Sequence, residues 1–540
     1  MNVFRTTTIL AALSSLLPGT IATKEHHTSA CSAATFKSLS LDNIKLKSFN
    51  VTAHHELSTS GRNATGGVGV VPDLPNVETP TVDICLISLT YTHPGQDDTV
   101  NTYIGLPLDT SEWNSRFLMH GGGAYYAGGP SSVLTPVLLG YASSSTDGGH
   151  GPATSIADWG LTSHGKTNWP ALRDFSSVAI SEAAVLGKMA TKLYYGSKAK
   201  YSYWHGCSTG GRQGHAMAQE HPDLFDGIVA GASAINWDKF AAAGIWGPVI
   251  AQLLDSKPPL CVVEAFTQAA IAECDGLDGV TDGIIAYPGQ CHFEASSLVG
   301  QKVNCSDPNG AVTIAKEMAE LISAVWDGPR SKDGRSLWYG FDHDSSLGAM
   351  IGTSCSSIEN CTVIPFSVSE DWVNSFVVRN PSFDVENLTH NGYDLIFRQS
   401  VNQYASVIGT SNPDLSKMKK SGTKMLAWHG MADQLVPTNG SVDYYERVAD
   451  LNANVADYYR LFLAPGVTHC GFGAGFDPSE TVFDTMRAWV ENGTVPDRLK
   501  GLAVAVGNTS ATRTGYLCPY PQVFTYTGGD VNAASSFTCV

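Results

Sequence analysis

The chain has 540 residues, of which 43% are hydrophobic and 15% charged, and its 54 glycines and 26 prolines are typical of a globular, loop-rich protein. Its formal net charge of −17 repels phosphate backbones and therefore argues against nucleic-acid binding. No internal run reaches the roughly 18 apolar residues that a membrane-spanning helix needs.

The N-terminus has the layout of a secretory signal peptide. Arg5 precedes an apolar stretch over residues 6–17, and the small residues Thr20 and Ala22 predict cleavage after Ala22, which makes residues 1–22 the signal peptide. Twelve cysteines, an even number, fit an oxidising compartment. Eight Asn-x-Ser/Thr sequons further predict a glycosylated, extracellular protein. Their asparagines are Asn50, Asn63, Asn304, Asn360, Asn387, Asn439, Asn492 and Asn508.

Strands and helices alternate in the first part of the chain. Apolar–polar alternation and short apolar runs predict strands at residues 82–93, 100–107, 116–119, 201–204 and 228–230. Helical spacing predicts helices at residues 181–195 and 212–220. This order indicates a mostly parallel sheet with helical crossovers.

The alternation stops at about residue 237 and returns with strands at residues 424–430 and 458–466. The intervening stretch is rich in glycine, serine and cysteine. We therefore predict an α/β core formed by residues 23–236 and 422–540, interrupted by a cysteine-rich inserted domain over residues 237–421. Six cysteines lie in this insertion: Cys261, Cys274, Cys291, Cys305, Cys355 and Cys361.

The pentapeptide Gly206-Cys207-Ser208-Thr209-Gly210 is the only Gly-x-Ser-x-Gly sequence in the chain. It lies between a predicted strand and a predicted helix, where a sharp turn exposes a nucleophilic serine in α/β-hydrolases. Read alone, the same pattern also fits a glycine-rich turn with a surface serine. The α/β-hydrolase fold is the predicted fold class.

A nucleophilic serine needs a base, and the base needs an acid that orients it. In α/β-hydrolases the acid and then the histidine follow the serine in the chain. Asp433 follows the strand at 424–430, and His469 lies in a glycine-rich loop after the strand at 458–466. Three other acids compete with Asp433, one placed before a strand and two in a helical pattern: Asp457, Asp443 and Glu446.

The loop His120-Gly121-Gly122-Gly123 follows an early predicted strand. Lipases and esterases use such a loop to direct a backbone N–H at the developing oxyanion. We expect the oxyanion donors to be Gly122 or Gly123 together with the N–H of Thr209.

The segment "GCSTGGRQG" and the cysteines beside Ser208 and His469 resemble the fungal tannase and feruloyl esterase family. That family's signature is Cys-Ser, then Asp, then His-Cys, which corresponds here to Cys207-Ser208, Asp433 and His469-Cys470. The resemblance extends from the "DICLISLTYTH" region to the C-terminal "SSFTCV". It implies that the insertion is a lid over the active site and that the substrates are esters of phenolic acids.

Because Ser208 and His469 must come within hydrogen-bonding reach, we expect Cys207 and Cys470 to lie close enough for a disulfide. The alternative is that both cysteines pair elsewhere within the twelve. Cys274 and Cys291 are expected to close an acidic loop between them. The other cysteines are expected to form disulfides as well, with their pairing left open: Cys31, Cys85, Cys261, Cys305, Cys355, Cys361, Cys518 and Cys539.

Three carboxylates, Asp275, Asp278 and Asp282, lie within eight residues and are separated by glycines. Such a group can bind a hard cation, although a solvated acidic turn fits the pattern equally well. The resemblance implies a structural calcium ion here, with the carbonyls of Val280 and Ile284 as further ligands. No organic cofactor is expected.

Together these patterns predict a secreted serine carboxylesterase that acts on phenolic esters without a nucleic-acid or membrane partner. Two rival hypotheses remain. One is a binding protein that kept the hydrolase fold and lost catalysis. The other is a serine peptidase that uses the same residues.

Overall fold

The computed structural model describes residues 30–58, 81–151 and 156–540, so the predicted signal peptide and Asn63 lie outside the described residues. Up to residue 236 the strands are β1 (Lys45–Ser58), β2 (Thr81–Thr92), β3 (Val100–Pro107), β4 (Arg116–His120), β5 (Ser143–Thr146), β6 (Leu161–Ser163), β7 (Lys166–Thr167), β8 (Tyr201–Cys207) and β9 (Gly227–Gly231). The helices of this part are α1 (Leu134–Leu138), α2 (Trp169–Arg173), α3 (Ala179–Tyr195) and α4 (Thr209–Glu220).

The insertion is mainly helical. Its helices are α5 (Trp237–Ala243), α6 (Trp246–Leu253), α7 (Leu260–Cys274), α8 (Lys316–Asp327), α9 (Ser367–Asp371), α10 (His390–Ile408) and α11 (Ser416–Ser421). It also holds the hairpins β10 (Lys302–Ser306) with β11 (Asn309–Thr313), and β12 (Thr353–Ser357) with β13 (Asn360–Val363).

The C-terminal part returns to the core and then adds two hairpins. Its strands are β14 (Lys424–Gly430), β15 (Tyr459–Ala464), β16 (Leu499–Ala505), β17 (Asn508–Leu517), β18 (Phe524–Tyr526) and β19 (Phe537–Cys539). Its helices are α12 (Asn439–Leu451) and α13 (Val482–Asn492). No helix among the described residues combines the length and apolar character needed to cross a membrane.

The central sheet has five parallel strands in the order β15-β14-β9-β8-β4. A four-stranded antiparallel sheet, β1-β2-β3-β5, continues it at the β4 edge. There the Ala142 N–H donates to the Arg116 carbonyl at 3.1 Å, and the Leu118 N–H donates to the Ala142 carbonyl at 2.9 Å. The two sheets are therefore joined by backbone hydrogen bonds.

Both faces of the parallel sheet are covered, as the side-chain alternation of its strands requires. Phe117 and Met119 of β4 pack with α3, α4 and α12 on one face. Leu118, between them, packs with α13 on the other face. A parallel sheet covered by helices, with a Gly-x-Ser-x-Gly turn between strand and helix, confirms the predicted α/β-hydrolase fold.

The insertion leaves the core after β9 and returns before β14, and its two ends meet. The Trp237 N–H donates to the Gly409 carbonyl at 3.3 Å. Its hydrophobic core also includes residues from the N-terminal part, among them Tyr125, Leu172 and Phe175. The insertion therefore packs directly on the core, and the boundaries predicted for the domains stay a prediction.

All twelve cysteines form disulfides. The pairs are Cys31–Cys85, Cys207–Cys470, Cys261–Cys305, Cys274–Cys291, Cys355–Cys361 and Cys518–Cys539. The pairs Cys207–Cys470 and Cys274–Cys291 agree with the predictions from the sequence. Three of the six bonds lie within the insertion, which has little regular sheet of its own.

An ion pair between Arg116 and Glu491 joins β4 to α13. Arg116 Nε and Nη2 donate to the two Glu491 oxygens at 2.7 and 2.5 Å, and the Tyr203 hydroxyl donates to Glu491 Oε1 at 2.7 Å. The hydrogen bond from Arg116, followed by that from Tyr203, lowers the pKa of Glu491, although burial opposes this. The ion pair therefore stabilises the folded protein at pH values above the unfolded-state pKa of Glu491. This stabilisation is lost as the pH falls through the folded-state pKa of Glu491.

We predict that Glu491→Gln lowers the free energy of unfolding by about 1 kcal/mol at neutral pH, since both partners are partly exposed to solvent. Urea unfolding of wild type and variant measures this, with the exposed Glu480→Gln as the matched control. The difference should shrink as the pH is lowered from about 5 to about 3. Equal stability of wild type and Glu491→Gln at neutral pH would contradict the assignment.

Candidate active site

Ser208 occupies the turn between β8 and α4 with φ 61° and ψ −124°, a conformation that residues with side chains rarely adopt. Such strain persists only where the surroundings hold it. The Ser208 N–H donates to the Gly231 carbonyl at 3.0 Å, and the Ser208 carbonyl accepts from Ala234 at 3.1 Å. The hydrogen bonds to the end of β9 thus fix the predicted nucleophile turn, and Ser208 is partly exposed.

Two glycines let the loop after β4 lie against the start of α4. A Cβ on Gly121 would lie 2.3 Å from the Gly210 Cα, and a Cβ on Gly210 would lie 3.0 Å from the Gly121 Cα. The Thr209 hydroxyl also donates to the Ala124 carbonyl at 2.6 Å. The close approach explains why glycine stands at both positions.

Asp433 and His469 meet as the sequence predicts. Asp433 Oδ2 accepts from His469 Nδ1 at 2.7 Å, and Asp433 Oδ1 accepts the N–H groups of Leu435 and Val436 at 2.8 and 2.9 Å. The Asp433 side chain is fully buried, and the His469 side chain is 6% exposed. Gln434 Oε1 accepts the His469 N–H at 3.1 Å and so anchors the histidine loop.

A second histidine supports Asp433. His429, at the end of β14, is fully buried, and its Nε2 lies 3.0 Å from Asp433 Oδ2 while its Nδ1 lies 2.7 Å from the Ser441 hydroxyl. Sequence reasoning missed this role. The signal was the four-residue spacing between His429 and Asp433 in "HGMAD".

Burial alone would raise the pKa of Asp433. The charge of His469 and the hydrogen bonds from His429 and His469 outweigh burial and hold the pKa of Asp433 well below its usual range. Asp433 therefore stays an anion that can stabilise a positive charge on His469.

The competing acids contact other groups. Asp443 Oδ2 pairs with Arg447 at 2.9 Å, and Glu446 accepts from the Tyr520 hydroxyl at 2.7 Å. Asp457 belongs to a short turn just before β15. Asp433 is therefore the acid that the structure joins to His469.

A disulfide joins Cys207, in the turn that holds Ser208, to Cys470, in the loop that holds His469, across a separation of 263 residues in the chain. Its Cα atoms are 5.8 Å apart, and both sulfurs belong to buried residues. Each half-cystine directly adjoins one of the two residues predicted to react, Ser208 and His469. The bond therefore fixes the histidine loop against the nucleophile turn.

The two N–H groups of the glycine loop that the sequence predicts as oxyanion donors form hydrogen bonds within the protein. The Gly122 N–H donates to Gln213 Oε1 at 2.9 Å, and the Gly123 N–H donates to the Tyr126 carbonyl at 2.9 Å. Each N–H therefore has an acceptor within the protein in this structure, and the assignment of Gly122 and Gly123 as oxyanion donors stays a prediction. Thr209, the first residue of α4, stays a predicted donor.

In the predicted calcium loop, all three carboxylates already have partners within the protein. Asp275 accepts the N–H groups of Asp282 and Gly283 at 3.0 and 2.9 Å. Asp282 Oδ2 forms a buried ion pair with Arg513 at 2.5 Å. The guanidinium thus supplies a positive charge where calcium is expected.

Asp278 accepts the N–H of Val280 at 2.9 Å, and burial, followed by the charges of Asp282 and Asp275, raises its pKa to about 6. Among the described residues, the three carboxylates do not form a group with ligand atoms within 4.8 Å of one another. Hydrogen bonds and the Arg513 guanidinium occupy the carboxylates in this structure. Calcium binding by them and by the carbonyls of Val280 and Ile284 stays a prediction. No catalytic step is assigned to a metal.

Comparison with known proteins identifies the family of this chain. The family model described as tannase and feruloyl esterase matches residues 86–540. The chain belongs to the tannase and feruloyl esterase family. A probable feruloyl esterase of Arthroderma benhamiae is 40% identical over 492 residues, which cover 89% of this chain and 90% of that protein.

Two solved structures of this family share the fold. Tannin acyl hydrolase from Aspergillus niger has a TM-score of 0.82 and 26% identity, with 95% of both chains covered. Feruloyl esterase B from Aspergillus oryzae has a TM-score of 0.74 and 27% identity, with 95% of this chain and 100% of that chain covered. The chain is a carboxylic ester hydrolase, as the sequence predicts.

We predict that Gly121→Ala lowers kcat/KM by about 100-fold, because the added methyl group displaces the nucleophile turn from its neighbour loop. Ester hydrolysis by the purified variant measures this effect. Gly289→Ala is the matched control, since a Cβ there would meet nothing within 4 Å. Activity of Gly121→Ala within twofold of the control would show that the close approach is not required.

Proposed function

We propose that the protein is a secreted serine esterase that hydrolyses esters of phenolic acids, with Ser208 as nucleophile, His469 as base and Asp433 as the acid that orients it. The observation that carries this proposal is the Asp433–His469 hydrogen bond at 2.7 Å, held beside Ser208 by the Cys207–Cys470 disulfide. The feruloyl esterase and tannin acyl hydrolase names of the relatives support the substrate class.

His469 acts through its second ring nitrogen. Because Nδ1 donates to Asp433, Nε2 is the nitrogen that takes the proton from the Ser208 hydroxyl. The serine oxygen then attacks the ester carbonyl, and His469 returns the proton to the departing alcohol. The phenolic acyl group remains on Ser208 as an ester.

Water completes the reaction by the same route. His469 accepts a proton from water, the resulting hydroxide attacks the acyl-enzyme, and the proton returns to Ser208 as the acid leaves. The anionic Asp433 stabilises the imidazolium in both halves. The Thr209 N–H, at the start of α4, is the proposed donor to the oxyanion.

The exposure of the sequon asparagines supports export and glycosylation. The six sequon asparagines whose side chains are described are all exposed: Asn50, Asn304, Asn360, Asn387, Asn439 and Asn492. The Asn508 side chain lies outside the described residues. Six disulfides fit an oxidising compartment. We therefore propose that the enzyme acts outside the cell, with the insertion as a lid over Ser208.

We predict that Ser208→Ala, His469→Ala and Asp433→Asn each lower kcat for methyl ferulate and methyl gallate by about 10⁴-fold or more. Asp433→Asn fails because it favours the wrong histidine tautomer. Initial rates on both esters measure the effect, and the ratio of kcat/KM values reports the acyl preference.

Ser111→Ala, at an exposed serine, and His343→Ala, at a partly buried histidine of the insertion, are the matched controls and should keep full activity. A fluorophosphonate probe should label Ser208 in the wild type. Absence of labelling in folded protein would favour the inert binding protein. Turnover of peptide amides above that of both esters would favour the peptidase.

A further inference from the structure

A buried cluster that the hydrolytic mechanism does not use lies where the antiparallel sheet meets α3. His93 follows β2, Asp98 precedes β3, Asp174 follows α2, and Glu182 lies in the first turn of α3. None of these residues is more than 7% exposed. Asp174 begins a π-helical turn (Asp174–Val178) between α2 and α3, a distortion that often marks functional sites.

Three of these side chains converge. His93 Nδ1 contacts Asp98 Oδ2 and lies 3.8 Å from Asp174 Oδ1. Ligand atoms of His93, Asp98 and Asp174 all lie within 4.8 Å of one another. Nitrogen and carboxylate oxygen donors at this spacing can surround one ion with bonds of about 2 Å after small shifts.

The fourth side chain fixes the histidine ring. His93 Nε2 lies 2.9 Å from Glu182 Oε1. The Tyr91 hydroxyl donates to Glu182 Oε2 at 2.9 Å, and Asn43 Nδ2 donates to Oε1 at 2.5 Å. A carboxylate that accepts from the second nitrogen of a histidine is the usual support of a metal-binding imidazole.

The cluster has an excess of negative charge and an oxygen without a partner. Asp174 Oδ2 is buried without a hydrogen-bond partner, and Asp174 is 2% exposed. Three carboxyl groups, those of Asp98, Asp174 and Glu182, surround the one imidazole of His93. A bound cation would compensate these charges and occupy the unpartnered oxygen.

We propose that His93 Nδ1, Asp98 and Asp174 bind one divalent transition-metal ion, with Zn²⁺ as the best match, and that Glu182 orients the His93 ring. The mixed nitrogen and oxygen donors favour zinc over calcium or magnesium, which prefer oxygen ligands alone. Water completes the coordination. The ion links the β2–β3 loop to the π-helical turn and so stabilises the fold at this end of the sheet.

Metal titration of the full, untagged chain tests this site. After chelation and dialysis, the wild type should bind one equivalent of Zn²⁺, and Co²⁺ in its place should give the visible absorption of a low-symmetry site. The thermal midpoint should rise on the order of 5 °C with saturating Zn²⁺. Asp174→Asn should lose binding by about 100-fold or more, and Glu182→Gln by about 10-fold to 100-fold.

Asp450→Asn, at an exposed carboxylate of α12, is the matched control and should bind Zn²⁺ as the wild type does. Retained ester hydrolysis by Asp174→Asn shows that this variant is folded. Failure of the wild type to bind an equivalent of Zn²⁺ would overturn the proposal and leave His93 as a buried histidine paired with carboxylates. Unchanged binding in Asp174→Asn would overturn it as well.

Discussion

The active site depends on one covalent constraint, the disulfide between Cys207 and Cys470. Strands β8 and β15, which precede the serine and histidine loops, are not neighbours, because β9 and β14 lie between them. Three strand spacings of about 4.8 Å separate them by about 14 Å. The half-cystine Cα atoms are nevertheless only 5.8 Å apart, so the two loops reach across the sheet edge towards each other.

Hydrogen bonds to Asp433 add to the positioning that the disulfide gives the histidine loop. Asp433 is a buried anion, and such a group is costly unless every oxygen has partners. Two histidines and two backbone N–H groups supply them. The same hydrogen bonds position the Asp433 carboxylate beside the His469 ring. They therefore stabilise the buried charge and also orient the proposed base.

The sequence predicts the parallel core because its strands are apolar and buried. The prediction of β14 at residues 424–430 matches Lys424–Gly430. Strand β5, Ser143–Thr146, was not predicted, since its four buried residues are all polar. They are small because α3 packs closely on them, and a Cβ on Gly187 would lie 2.6 Å from the Ser144 hydroxyl. A pattern of apolar residues in the sequence cannot reveal a strand that is buried but polar.

The sequence predicts which residues form the site better than it predicts the hydrogen-bond partners of those residues. Motif spacing predicted Ser208, Asp433 and His469 as the catalytic residues, and the structure joins Asp433 to His469 by a hydrogen bond. The partners of the Gly122 N–H and of Asp282 were not predictable, since Gln213 and Arg513 come from distant parts of the chain. Such contacts depend on the packing of loops that no local pattern encodes.

The most direct test is the rate at which a fluorophosphonate probe labels Ser208 when both Cys207 and Cys470 are replaced by alanine. We expect a folded variant with the other five disulfides intact by peptide mapping, labelling slowed by about tenfold or more, and a KM for methyl ferulate close to that of the wild type. Labelling at the wild-type rate in such a variant would contradict the account.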